Sequence, residues 1–255
     1  MTSLYILIFL TGLILGSFYN VVGLRVPQKE SIAAPRSACP SCGHPLSPLE
    51  LVPVLSYVFL KGKCRECQSR ISCLYPIMEL VTGILFVTAP ILLGWSAELL
   101  VAWTLISLLV IIFVTDIVYM LIPNKILLFF TLLFITLHLF IPLIPWWEAL
   151  AGASVGFLIP FLIAVFSKGG MGGGDIKLFS LIGLAIGVKG VLLTLMFSTL
   201  LGAVFGLAGL VAGLVKRGEP MPFGPFIAMG AMAAYFFGQE VLDWYWRIAA
   251  SGWGS

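Results

Sequence analysis

The chain consists mostly of long apolar runs separated by short polar breaks. Apolar runs of about 18 residues or more predict helices that cross a membrane, and continuous runs without alternation indicate helices rather than strands. We predict eight such helices, at residues 2–24, 77–93, 98–115, 126–144, 148–166, 176–186, 191–215 and 223–246. The run at 176–186 is short for a hydrocarbon layer of about 30 Å, so six or seven crossings also fit the pattern.

Residues 25–75 interrupt this pattern. They carry seven of the fourteen lysines and arginines, at positions 25, 29, 36, 61, 63, 65 and 70. Basic loops of membrane proteins stay in the cytoplasm, which predicts a cytoplasmic segment here and an amino terminus outside. The expected organisation is therefore a first transmembrane helix (1–24), a cytoplasmic segment (25–75) and a larger transmembrane domain (76–250).

The bulk composition agrees with a membrane protein. Of the 255 residues, 60% are hydrophobic and only 10% are charged, and the mean hydropathy is +1.12. A soluble domain of this size does not have that composition. We predict an all-α polytopic membrane protein of about eight transmembrane helices with a small cytoplasmic zinc-binding insertion.

The insertion contains two Cys-x-x-Cys pairs. Cys39 and Cys42 form the first, Cys64 and Cys67 the second, and 21 residues separate the pairs. Two such pairs suit a tetrahedral four-thiolate zinc site, although reduced cysteines without a metal are the plainer alternative. A site closed by four sulfurs has no open position, so the zinc is expected to be structural.

Two of the chain's three aspartates share a predicted membrane depth. Asp116 follows one predicted helix and Asp175 precedes another, both on the cytoplasmic side. Carboxylates near a membrane interior are costly and mark functional sites by default. The pair is compatible with aspartic-protease chemistry, with a proton or cation pathway, or with simple anchoring by Lys125 and Lys177.

The sequence around Asp175 narrows these choices. A glycine-rich loop, 168–174, ends in Gly172-x-Gly174-Asp175, a GxGD motif at a predicted helix start. Together with Asp116, the motif resembles the GxGD membrane aspartic proteases. The chain is most similar to the type IV prepilin peptidases, the prepilin leader peptidase/N-methyltransferase family. The stretches that carry the resemblance are 16–22, 25–27, 37–46, 50–57, 62–67, 75–80 and 222–226.

The resemblance implies that Asp116 and Asp175 are the catalytic pair. It implies type IV prepilins and pseudopilins as substrates, cut after a basic leader at the cytoplasmic face of the bacterial plasma membrane. It also implies methylation of the new amino terminus with S-adenosylmethionine, and roles in type IV pili, protein secretion or competence. We assign no methyl-donor residue. Membrane lipid is the other expected partner and nucleic acid is not one. The alternative is a transporter that couples protons or cations to the two aspartates.

Overall fold

A computed structural model describes residues 2–167, 169–213 and 221–252, with side chains described up to residue 248. The chain forms two compact units, Met1–Tyr119 and Met120–Ser255. Residues 214–220, which include the end of the helix predicted at 191–215, and Lys168 of the glycine-rich loop lie outside the described residues. The helices are α1 (Thr2–Arg25), a 3-10 turn (Pro48–Leu51), α2 (Leu55–Phe59), α3 (Leu74–Leu93), α4 (Glu98–Tyr119), α5 (Asn124–Phe140), α6 (Trp146–Phe166), α7 (Gly173–Val211) and α8 (Gly224–Gly252).

The predicted fold class is confirmed. Within the described ranges, five helices are long and apolar enough to cross a membrane, namely α1, α3, α4, α6 and α7. Helix α5 is apolar but has only 17 residues. Because the described residues otherwise hold only isolated β-bridges, the protein is an all-α multi-pass membrane protein.

Four predicted helix ends are wrong. Helix α7 ends at Val211 instead of residue 215, and α8 continues to Gly252 instead of ending at residue 246. Helix α4 continues to Tyr119 instead of ending at residue 115, so Asp116 lies inside its last turn. Its apolar residues on both sides, including Val118, allow the helix to continue past one carboxylate. Helix α5 ends at Phe140 instead of residue 144, because Pro142 and Pro145 follow at positions that cannot continue a helix.

The first unit is built on close contact between α1 and α3. A Cβ atom added to Gly12 would lie 2.7 Å from Cα of Gly83, so the two backbones touch at this level. Closer to the helix ends, the buried side chain of Asn20 donates a hydrogen bond from Nδ2 to the carbonyl oxygen of Tyr75, at 3.1 Å. Asn20 thus joins α1 to the first turn of α3.

The second unit is organised around α7, which packs against α6 and α8. The two helices predicted at 176–186 and 191–215 form one element, interrupted at Gly187, whose φ is 75° and ψ is −174°. This conformation is accessible to glycine and strained for other residues. The short predicted span therefore belongs to a long helix with one non-helical residue.

Glycines at the α6–α7 crossing leave no space for a side chain. A Cβ on Gly183 would lie 2.1 Å from the carbonyl oxygen of Gly152. We expect Gly183→Ala to force the two backbones apart and to destabilise the protein by about 1–3 kcal/mol. The apparent Tm in detergent should fall by several degrees, on the order of 2–4 °C for each kcal/mol.

Gly206→Ala, on the same helix, is the matched control. There the nearest neighbour of an added Cβ is the mobile end of a side chain, Cε of Met221 at 3.2 Å. Alanine also has the higher helix propensity, so this variant should unfold at or above the wild-type temperature. Equal Tm values for the two variants would contradict the described crossing.

Candidate active site and metal centre

Asp116 lies in the last turn of α4 and is only 5% exposed. Its neighbours Val114 and Thr115 are fully buried, while Ile117 and Val118 are exposed. Asp116 therefore stands on the inner face of an apolar helix. A buried carboxylate requires partners, since its desolvation is costly.

Asp175 is the third residue of α7 and is half-buried. Its Oδ2 accepts a hydrogen bond from the backbone N–H of Gly172, at 3.3 Å. The N-terminus of a helix carries a partial positive charge and unpaired N–H groups, which favour a carboxylate in this position. The GxGD motif thus forms the first turn of the helix and holds Asp175 at its end.

The turn that carries Asp175 is fixed to neighbouring parts of the second unit. Nζ of Lys177 donates a hydrogen bond to Oδ1 of Asn124 at 2.9 Å, which links the first turns of α7 and α5. A Cβ on Gly174 would lie 2.9 Å from Cβ of Ile122, so the motif glycine packs directly against that side chain. Lys177, one of the two lysines considered as anchors, thus ties the start of α7 to the start of α5.

The predicted catalytic residues belong to different units. Asp116 lies in the first unit and Asp175 in the second. Each is positioned by its own helix end, one at the end of α4 and one at the start of α7.

The four predicted metal ligands lie together. Within the described residues, the Sγ atoms of Cys39, Cys42, Cys64 and Cys67 are all within 4.8 Å of one another. Sγ of Cys39 is 3.7 Å from Sγ of Cys67, and Sγ of Cys42 is 4.0 Å from Sγ of Cys64. Tetrahedral Zn–S bonds of about 2.3 Å require sulfur–sulfur distances of about 3.8 Å. The cluster thus fits a tetrahedral ion of that size.

A hydroxyl group supports two of the sulfurs. Oγ of Ser69 lies 3.1 Å from Sγ of Cys67 and 3.6 Å from Sγ of Cys39. Hydrogen bonds, first that of Ser69 and then those of the backbone at Cys42 and Ser41, lower the pKa of the Cys39 thiol to about 6, and Ser69 also lowers the pKa of Cys67. A lower pKa favours the thiolate, the form that binds metal. The fifth cysteine, Cys73, is exposed and is not part of the cluster.

Within the described residues, His44 is not part of the sulfur cluster but lies beside a carboxylate. Its Nε2 lies 3.7 Å from Oε2 of Glu50. The same Oε2 accepts hydrogen bonds from the Ser47 hydroxyl (2.6 Å) and the Ser47 N–H (2.9 Å). These bonds from Ser47 lower the pKa of Glu50, so it remains ionised at neutral pH.

A second carboxylate ties the cysteine segment to the helices of the first unit. Oε2 of Glu79, on α3, accepts a hydrogen bond from the N–H of Val54 at 2.7 Å, and the residue is only 8% exposed. Val54 has φ 60° and ψ −50°, a conformation that a β-branched residue adopts only under strain. Glu79 thus holds a strained turn in the linker between the two cysteine pairs.

Sequence reasoning missed several of these roles. Glu50 and Ser47 have the Ser-x-x-Glu spacing of a capping box, a signal that could have identified their contact. Glu79 offered no comparable signal, because its partner is a backbone N–H 25 residues away, and the contact of Ser69 with Cys39 spans 30 residues.

The chain matches two family models over consecutive ranges. Residues 10–93 match the bacterial peptidase A24 N-terminal domain, and residues 103–207 match the type IV leader peptidase family. The boundary between the models lies near residue 100, whereas the two compact units of the structure meet at residue 119. Asp116 and Asp175 both fall in the second match.

Curated proteins match the chain along nearly its whole length. A prepilin leader peptidase/N-methyltransferase of Bacillus subtilis is 48% identical over 243 residues, which are 95% of this chain and 98% of the relative. Proteins of the same name from Aeromonas salmonicida and Pseudomonas aeruginosa are 34% and 32% identical, each over 94% of this chain and 92% of their own length. No solved structure matches the chain. With relatives this similar over almost the entire length, the chain belongs to the prepilin leader peptidase/N-methyltransferase family.

Proposed function

We propose that this protein is a membrane aspartic endopeptidase that removes the leader from type IV prepilins and pseudopilins, with Asp116 and Asp175 as its catalytic pair. The observation that carries the proposal is the 48% identity, over 98% of its length, to a protein named for this reaction. Both aspartates lie within the residues that match the type IV leader peptidase family.

The local geometry supports the roles of the two carboxyls. Asp175 sits at a helix start and Asp116 on the inner side of a helix end, so both are held by helical backbone rather than by free loops. Within the second unit, Gly174 packs against Ile122, which fixes the first turn of α7. Two carboxyls that approach each other share one proton, because two adjacent negative charges repel.

A shared proton provides both an acid and a base. The ionised carboxyl takes a proton from a water molecule, whose oxygen attacks the carbonyl carbon of the scissile peptide. The protonated carboxyl donates a hydrogen bond to the carbonyl oxygen. When the tetrahedral intermediate collapses, the C–N bond breaks and the departing amine takes up a proton. Water and two carboxyls suffice for this hydrolysis.

The cysteine cluster supports a structural zinc site. Four thiols at near-tetrahedral spacing would hold the ion, and Ser69 would stabilise two of the thiolates. With four sulfur ligands the ion has no open position for water or substrate. Its contribution is to fold a segment of about fifty residues that has little core of its own.

The second half of the reaction is methylation of the new amino terminus, with S-adenosylmethionine as the methyl donor. The names of the relatives include this activity. We place the cysteine segment and both aspartates on the cytoplasmic side of the bacterial plasma membrane, with the amino terminus outside. Seven basic residues between 25 and 75 support this orientation. The organisation into segments 1–24, 25–75 and 76–250 is part of the same proposal.

One experiment tests both activities. The purified protein is incubated in detergent with a peptide that has a basic leader, a glycine and an apolar segment, with and without S-adenosylmethionine. Mass spectrometry should show cleavage after the glycine in both samples. A gain of one methyl group, about 14 Da, should appear on the new amino terminus only when the donor is present.

The transporter alternative predicts a different result. It requires no change in peptide mass, and intact peptide in both samples would contradict the proposed function. Nothing in the comparisons supports transport, since both family models and the relatives describe peptidases.

A further inference from the structure

The cysteine segment contains a cavity that the peptidase reaction does not use. It is about 340 Å³ in volume and lies between the 3-10 turn, helix α2 and the second cysteine pair. Most of its wall is apolar, and at its edge Leu49 is 79% exposed and Phe59 is 81% exposed. Its polar lining comes from Glu50, Ser56 and Arg65. A concave, mostly apolar site of this size with a few polar groups is typical of small-molecule binding.

Glu50 gives an independent indication of a ligand. Its side chain is only 6% exposed, and Oε2 makes the contacts with Ser47 and His44. The other oxygen, Oε1, is buried and has no hydrogen-bond partner among the described residues. A buried carboxylate oxygen without a donor is unfavourable, because it has lost water and gained no hydrogen bond in return. A ligand that offers hydroxyl or amino groups would satisfy it.

The charges of the cavity select the class of ligand. An ionised carboxylate and a guanidinium line the same small space, together with one hydroxyl and an exposed aromatic ring. S-adenosylmethionine offers matching groups: a carboxylate for Arg65, ribose hydroxyls and an ammonium group for Glu50, and a planar adenine for Phe59. Its sulfonium adds a positive charge that favours a site containing a carboxylate.

We propose that this cavity, lined by Glu50, Ser56, Phe59 and Arg65, is the binding site for the methyl donor S-adenosylmethionine. The inference rests on the proposed methyltransferase activity and assigns that activity a location. In the reaction, the lone pair of the new terminal amine attacks the methyl carbon and forms the N–C bond. The C–S bond breaks, its electron pair returns to sulfur to give the neutral thioether, and the ammonium product releases one proton to water.

The most direct test uses the wild-type protein. The full chain with its metal is placed in nanodiscs containing anionic lipid and irradiated with ultraviolet light in the presence of tritium-labelled S-adenosylmethionine. The label should attach to a peptide within residues 49–65, and an excess of S-adenosylhomocysteine should suppress it. Label found only in other parts of the chain would overturn the inference. Labelling of residues 49–65 in detergent but not in nanodiscs would also overturn it, because the bilayer would then cover the cavity.

Two substitutions test the cavity by equilibrium binding. Arg65→Ala removes the group that pairs with the donor carboxylate, which should weaken binding about ten- to hundredfold, as expected for a charge-assisted hydrogen bond. Ser56→Phe fills the cavity and should have at least the same effect. Lys63→Ala and Val58→Phe are matched controls, because both lie in the same segment and do not line the cavity. They should bind the donor like the wild type.

The outcomes distinguish the proposed methyltransferase function from the proposed location of the donor site. Zinc content and Tm report whether each variant is folded, and the cross-linking result does not depend on any variant. If the wild type binds and uses the donor while folded Arg65→Ala and Ser56→Phe bind it equally well, the site is wrong and the proposed function stands. If the wild type neither binds the donor nor methylates the cleaved peptide, the methyltransferase function and the site both fall.

Discussion

Replacing either Asp116 or Asp175 by asparagine is expected to lower the rate of leader cleavage by a factor of about 10³ or more, because each carboxyl performs a proton transfer that an amide cannot. Asparagine has nearly the same shape as aspartate, so the helices that carry the two residues should be preserved. The measurement is the initial rate of peptide cleavage by purified protein, followed by mass spectrometry, with Tm as a check on folding.

Asp243→Asn is the matched control. Asp243 is the third aspartate of the chain, and it is exposed on α8, where Oδ1 accepts a hydrogen bond from Nε2 of Gln239 at 3.4 Å. Losing this exposed contact has little effect on stability. The variant should cleave at the wild-type rate. A folded Asp116→Asn or Asp175→Asn protein that cleaves as fast as Asp243→Asn would rule out its assignment to the catalytic pair.

Removing the metal should cause the second large effect. We expect Cys64→Ser to abolish stoichiometric zinc binding and to unfold the cysteine segment, since the ion supplies about 10–16 kcal/mol of apparent binding free energy in structural sites of this type. Cys64 is 1% exposed, so the change also places an oxygen in a buried position built for sulfur. Zinc is measured by elemental analysis, and unfolding by trypsin cleavage after Lys61, Lys63 and Arg65.

Cys73→Ser provides the comparison. Cys73 is exposed and outside the cluster, so this variant should retain one zinc ion per chain and resist trypsin like the wild type. Treating the wild type with a strong chelator should reproduce the Cys64→Ser cleavage pattern. A protein that carries no zinc as purified, with a trypsin-resistant cysteine segment, would contradict a structural metal.

Much of the fold could be predicted from the sequence because long apolar runs indicate membrane helices. The first residues of α3, α6 and α8 were predicted to within three residues. The end of α4 was harder, because a single aspartate suggested an end where backbone hydrogen bonding continues for another turn. The break at Gly187 depends on close packing with another helix, which local sequence does not record.

The candidate site was also only partly predictable from the sequence. The cysteine cluster was predictable because spacing within each Cys-x-x-Cys pair reflects local turn geometry, and the described structure brings both pairs together. The contact between Glu79 and Val54 was not predictable, because it joins a strained turn to a helix residue that lies 25 positions later in the sequence. The cavity beside Glu50 likewise arises from segments that no sequence motif connects.

A double-substitution cycle tests whether Asp116 and Asp175 act as one catalytic pair. Residual cleavage is measured over long incubations for the wild type, the two Asp→Asn variants and the double variant, all shown to be folded. Residues that act as a unit are strongly non-additive. If the two carboxyls act as one pair, the double variant should be about as slow as either single variant. A double variant slowed by the product of the two single effects would show independent roles and would contradict this assignment.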